Sequence, residues 1–103
     1  MWQSSEIRFA TDHPTAGGHF PSNPIIPGAL LLDEVLKAVA VTASGDAHVV
    51  IRVAKFFRPV RPGEAVRVQW QRQADGCIKF ECRLVGADDL AAAGTLAMGL
   101  AQR

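Results

Sequence analysis

The residues whose types and spacing suit chemistry lie close together, in Gly18-His19-Phe20-Pro21-Ser22-Asn23-Pro24-Ile25-Ile26-Pro27-Gly28, with Asp33 five positions further on. His19 is a base whose unperturbed pKa lies near neutrality, so it can take and return a proton without large tuning. Prolines at 21, 24 and 27 restrict φ and remove backbone donors, which lets a loop hold one path at little entropic cost. Gly28 stands where a helix can begin. Its N–H has no side chain in front of it, and the helix dipole behind it suits polarising a carbonyl and stabilising an enolate-like oxygen. With Asp33 as an acid, the segment supplies the parts of a proton-transfer site beside a carbonyl.

Each part also has a plainer use. A histidine beside glycine is commonly a loop residue, Asp33 and Lys37 at i, i+4 make an ordinary helix-surface ion pair, and Pro-Gly before a helix is usual helix-start chemistry. Their convergence on one loop–helix junction favours the chemical reading. Elsewhere the signals are structural. His13 makes no convincing metal pair with His19, no histidine falls at a zinc-ligand spacing from Cys77 or Cys82, and no metal site is expected. The two cysteines sit in an alternating segment that points them to opposite faces, so a disulfide between them is not expected. His48, Cys82, Trp70 and Phe80 read as strand and core residues.

The elements that must position the site follow from periodicity. Between Asp12 and Gly28 four prolines and three glycines in 17 residues forbid continuous helix or ladder. From Gly28 to about Thr42 the run Ala29-Leu30-Leu31-Leu32-Asp33-Glu34-Val35-Leu36-Lys37-Ala38-Val39 has few breakers and predicts one helix, apolar except for a narrow polar arc. One residue turns a helix by about 100°, so Asp33 and Glu34 cannot reach the same point. Asp33 is expected at the border between the polar arc and the buried circumference, and Glu34 toward the arc's other end. Strands are expected at Glu6–Thr11, His48–Phe57, Val66–Trp70, Ile78–Leu84 and around Leu96–Leu100, with turns at Gly45-Asp46, Pro62-Gly63, Ala74-Asp75-Gly76 and Ala87-Asp88-Asp89. Short connections imply an antiparallel meander. The expected fold class is α+β: a single domain over residues 1–103, with one long central helix wrapped by a curved antiparallel sheet of about five strands.

Composition bounds the partners. The 103 residues are 49% hydrophobic and 20% charged with a net charge of +1, which gives no global field for nucleic acid or an anionic membrane. No apolar run reaches the roughly 18–20 residues of a membrane span, and Met1–Glu6 lacks the features of a signal peptide, so the cytoplasm is the expected compartment. A core this small and alanine-rich is marginal for a lone chain, which favours a dimer.

At this point the residues carry a resemblance. His19-Phe20-Pro21-x-Asn23-Pro24-Ile25-x-Pro27-Gly28, with a carboxylate 14 residues after the histidine, and the later Lys55-Phe56-Phe57-Arg58-Pro59-Val60-x-Pro62-Gly63-Glu64 resemble two motifs of the hotdog-fold 3-hydroxyacyl-acyl carrier protein dehydratases of fatty acid synthesis. The resemblance runs from about Arg8 to Leu100. Ser22 stands where the first motif usually has glycine. With 18 residues before His19, the chain looks most like the compact dehydratases of aryl-polyene and related secondary-lipid pathways.

The resemblance implies a hotdog fold and dehydration of a 3-hydroxyacyl thioester to the trans-2-enoyl product, with no cofactor. By position, His19 matches the catalytic histidine that removes the C2 proton. Gly28 matches the glycine whose N–H faces the thioester carbonyl, and Asp33 the acid, supplied by the other subunit of a homodimer with shared sites. Phe20 and Pro27 are expected beside Gly28 in the substrate site. Arg52, Lys55, Arg58 and Arg61, with Arg67 beyond them and Glu64 as the single acid in that run, read either as solvated strand edges or as a docking patch for an acidic acyl carrier protein with its phosphopantetheine arm. The rival readings are a thioesterase on the same fold and a non-catalytic acyl-carrier-binding partner subunit.

Overall fold

The computed structural model describes residues 2–9, 25–41 and 47–100. Among them one helix, α1, spans Gly28–Val41. It starts where the sequence expects: Pro27 cannot continue a ladder, and its carbonyl accepts the N–H groups of Leu30 at 3.0 Å and Leu31 at 3.3 Å to close the first turn. Leu31, Val35 and Val39, spaced i, i+4, i+8, are buried. Ala29, Asp33, Lys37 and Ala40 on the far side are exposed. The chain's own sheet therefore buries one stripe of the helix most deeply, because one sheet face contacts one side of a cylinder.

Five strands, β1 (Gln3–Arg8), β2 (Ala47–Phe56), β3 (Ala65–Arg72), β4 (Ile78–Leu84) and β5 (Leu90–Leu100), form one antiparallel sheet in the order β1-β3-β4-β5-β2. Only β3, β4 and β5 run as the expected meander. β2 lies beyond β5, so the connection from β2 to β3 crosses the sheet. Where β2 meets β5 the backbones approach closely. Around its middle β5 is built of small residues, and a Cβ on Gly94 would meet the carbonyl oxygen of Val53 and lie 2.7 Å from the Phe80 ring. A bulge between Ile51 and Val53 adjusts the pairing at the same place.

Two strand starts differ from expectation. β1 begins at Gln3, earlier than Glu6, because its ladder to β3 is set by Arg8 opposite Ala65, and the chain beyond it is held by Gly63, whose N–H donates to Phe9 O at 2.7 Å. β5 begins at Leu90 rather than near Leu96, with Ala91 and Ala92 buried. Alanine at successive positions hides the period-two signal. The expected turns at Pro62-Gly63 and at Asp75-Gly76 are present, with Gly63 at φ 91° and Gly76 at φ 88°, a region that favours glycine.

The core lies between α1 and the inward face of the sheet. Val66, Val68 and Trp70 of β3, Ile78, Phe80, Cys82 and Leu84 of β4, and Leu96 of β5 are buried there. Phe80 is fully buried and sits opposite Gly94 in the β4–β5 register. No helix among the described residues is long and apolar enough to cross a membrane.

Candidate active site

The start of α1 is tied to a segment distant in sequence. Ile26 N–H donates to Val60 O at 2.7 Å, which draws the residues before the helix against the segment that follows β2. Beside this contact lies a cavity of about 420 Å³ whose walls include Ile26, Gly28, Leu31, Phe56, Phe57 and Arg58. Gly28 is the first residue of the helix, where backbone N–H groups have no carbonyl partner within it. Its lack of a side chain is used: a Cβ there would fall 2.8 Å from Phe56 Cζ and 2.9 Å from Cε1. The ring of Phe56 thus lies over the Gly28 backbone, and the cavity combines apolar walls, one backbone-donor terminus and one guanidinium.

Of the expected site residues, Gly28 lines this cavity and Pro27 immediately precedes the helix. His19 and Phe20 lie outside the described residues, as do Ser22 and His13.

Asp33 is on α1 but not at the border of a buried face. Its side chain is 54% exposed, against 31% for Glu34. The reason is the narrow stripe of contact: Leu31, Val35 and Val39 define the covered side, and Asp33 with Lys37 lies opposite. Lys37 Nζ is 3.2 Å from Asp33 Oδ2 and 3.5 Å from Glu34 Oε2. Hydrogen bonding and charge from Asp33, then from Glu34, raise the Lys37 pKa above its ordinary value. Within one chain, Asp33 therefore faces away from the sheet, on a surface open to a second molecule.

The basic run resolves into unequal members. Arg52, Lys55, Arg58 and Arg61 are all exposed. Arg58 is ion-paired with Asp89, and Arg67 Nη1 is 3.6 Å from Asp88 Oδ1. Two acids of the β4–β5 turn thus neutralise charges that looked uncompensated in sequence. The turn lies 31 residues from Arg58, beyond the reach of local pattern reading. Conversely, Phe56 and Phe57 are cavity walls that the sequence reading did not single out as site residues. Their signal was an aromatic pair inside a basic strand end, 51% and 57% exposed in the fold. Among the described residues no cluster of histidine, cysteine, aspartate and glutamate is placed to hold a metal ion.

The sequence profile of the ApeI-like family, described as ApeI dehydratase, matches residues 3–95. The chain belongs to the ApeI-like dehydratase family. It is 37% identical over 92 residues to the 3-hydroxyacyl-acyl-carrier-protein dehydratase FabZ of Chloroflexus aggregans, covering 80% of this chain and 64% of that protein. It is 31% identical over 104 aligned positions to the FabZ of Variovorax paradoxus, covering 88% of this chain and 69% of that one. This ApeI-like chain thus spans about two thirds of the length of these two relatives. Among solved structures, the dehydratase heterocomplex ApeI:P of Xenorhabdus doucetiae matches with a TM-score of 0.78 at 20% identity, covering 94% of this chain and 86% of that one. The fold of the ApeI-like chain is accordingly the hotdog fold, an α+β domain with one helix laid on a five-stranded antiparallel sheet.

Proposed function

We propose that this ApeI-like protein removes water across C2 and C3 of a 3-hydroxyacyl thioester, carried on acyl carrier protein, to give the trans-2-enoyl thioester in fatty acid or polyene-type lipid synthesis. The observation that carries the reading is the meeting, in a chain of this family, of the Gly28 helix terminus with an open, mostly apolar cavity. The thioester carbonyl accepts from Gly28 N–H, which takes up charge as the C2 proton leaves to His19. Asp33 of the partner subunit then delivers a proton to the departing hydroxyl. Phe20 and Pro27 complete the wall beside the reacting carbons, and Arg52, Lys55, Arg58 and Arg61 face the incoming carrier. No metal or redox cofactor enters this scheme, and a cytoplasmic setting suits its carrier-bound substrate.

The exposure of Asp33 supports the two-chain site, since an acid turned away from its own sheet serves a cavity only when another chain is brought to it. β2 supports it too: it is a sheet edge with Val50 and Val53 exposed, a template for pairing with another strand. The second chain is a copy of the first in this reading, and the heterocomplex of the Xenorhabdus doucetiae protein makes a non-identical chain the outcome to distinguish.

The deciding experiment incubates the protein with carrier-bound 3-hydroxyacyl substrates of several lengths and follows the acyl mass. Loss of one water without release of free thiol is expected. Free thiol would establish the thioesterase instead, and acyl-carrier binding with no conversion would establish the non-catalytic partner.

A further inference from the structure

The segment leaving β2, Lys55-Phe56-Phe57-Arg58, carries an aromatic pair between two cations. Phe56 lies over Gly28. Lys55, the preceding residue of the strand, alternates with Phe56, and Phe57 follows just beyond the strand's end. Phe57 is the most exposed large apolar side chain among the described residues, at 57%, and it stands at the rim of the Gly28 cavity. Its backbone is fixed, because the N–H groups of Phe57 and Arg58 both donate to Ala91 O, at 2.8 and 3.3 Å.

The neighbouring cations are not equally available. Arg58 is held by Asp89, and Arg52 Nη1 donates to Cys77 Sγ at 3.7 Å. Lys55 is exposed and, among the described residues, no carboxylate is paired with it. An exposed aromatic ring on a rigid backbone, two residues from an ammonium that no described carboxylate pairs, has the chemistry of an interface anchor. Apolar contact supplies affinity and charge supplies steering.

Resting on the reading of the cavity as the thioester site, we propose that Phe57 is the anchor on which the acidic carrier protein docks. Its ring takes an apolar side chain of the carrier helix, and Lys55 faces a carboxylate of that helix. The carrier's arm then enters the cavity past Arg58. Of the basic run, Lys55 carries the electrostatic part of docking, while Arg58 serves chiefly to hold the rim to the β4–β5 turn.

The test measures binding and turnover separately. Labelled acyl carrier protein bearing a 3-hydroxyoctanoyl group is titrated with the parent protein, Phe57→Ala and Lys55→Ala at several salt concentrations. The same variants are assayed on that carrier and on the 3-hydroxyoctanoyl N-acetylcysteamine thioester. Phe57→Ala is expected to weaken carrier binding about tenfold, the scale of an interface hot spot, without altering its salt dependence, whereas Lys55→Ala flattens that dependence. The KM for carrier-bound substrate should rise about tenfold in Phe57→Ala, several times more than that for the truncated thioester, which meets Phe57 only as a cavity wall. Unchanged carrier affinity in Phe57→Ala would overturn the proposal. So would an equal loss on both substrates, which would leave Phe57 a cavity wall and no docking anchor. If carrier binding falls as expected while neither substrate is converted, the anchor stands and the dehydratase reading fails.

Discussion

Asp33 and Glu34 are adjacent in sequence and share one cation, Lys37, yet they face different surroundings. Asp33 is turned to the open side of α1 and Glu34 is flanked by the fold. If the partner subunit's site lies over the open side, Asp33→Asn should lower turnover by at least about 100-fold, the scale for losing a general acid. Glu34→Gln should change it by less than about threefold. Steady-state kinetics on the two variants reads this directly, and reversed effects would place the acid one residue further along the helix. The thiols divide as sharply. Cys82 is fully buried and Cys77 half-buried, both free, so a thiol reagent should label Cys77 in the native protein and Cys82 only after unfolding. Burial pushes the Cys82 thiol up to about 12, whereas in the unfolded chain it ionises near about 8.5. Between those values the unfolded chain binds fewer protons, so this group's contribution to stability is whole below about pH 8.5 and falls as pH rises toward about 12. The urea midpoint should therefore decline across that window in the parent, and less steeply in Cys82→Ala.

At the scale of elements, what a sequence displays depends on side-chain size. β3 and β4 were legible because Val66, Val68, Trp70, Phe80 and Cys82 alternate with charged or amide residues, and all five are buried. α1 was legible from Pro27-Gly28 onward. The start of β5 was hidden because Ala91, Ala92 and Ala93 carry no periodic contrast. The docking of β2 beside β5 was hidden because it pairs residues far apart in sequence, and its close approach uses the absence of a side chain at Gly94. That absence makes a strong expectation. Gly94→Ala would drive a methyl into the Val53 carbonyl and the Phe80 ring, so it should cost at least about 2 kcal/mol, as overpacking a filled core does. Phe80→Ala, which leaves a void in the same place, should cost about 3–5 kcal/mol. Urea denaturation measures both. At the candidate site, Gly28 was legible from its spacing. Phe56 and Phe57 were not, since only the fold brings the end of β2 over the start of α1.

For the whole molecule, a site shared between subunits has a numerical signature. When His19→Ala and Asp33→Ala proteins are mixed and allowed to exchange, half of the dimers are mixed, and each mixed dimer holds one intact site of two. Activity should then recover to about a quarter of the parent value. No recovery despite exchange proven by native mass spectrometry would place base and acid in one chain. The strand order has a separate consequence, for how the protein comes into being. The centre of the sheet, β3-β4-β5, is built from the last part of the described chain, while β1, α1 and β2 are made first. During synthesis those earlier elements have no ladder to join, and the Leu31, Val35 and Val39 stripe stays in water until β3 and its successors emerge. A chaperone that binds apolar helices should therefore engage the ribosome-bound chain through α1 and let go once β4 has paired with β5.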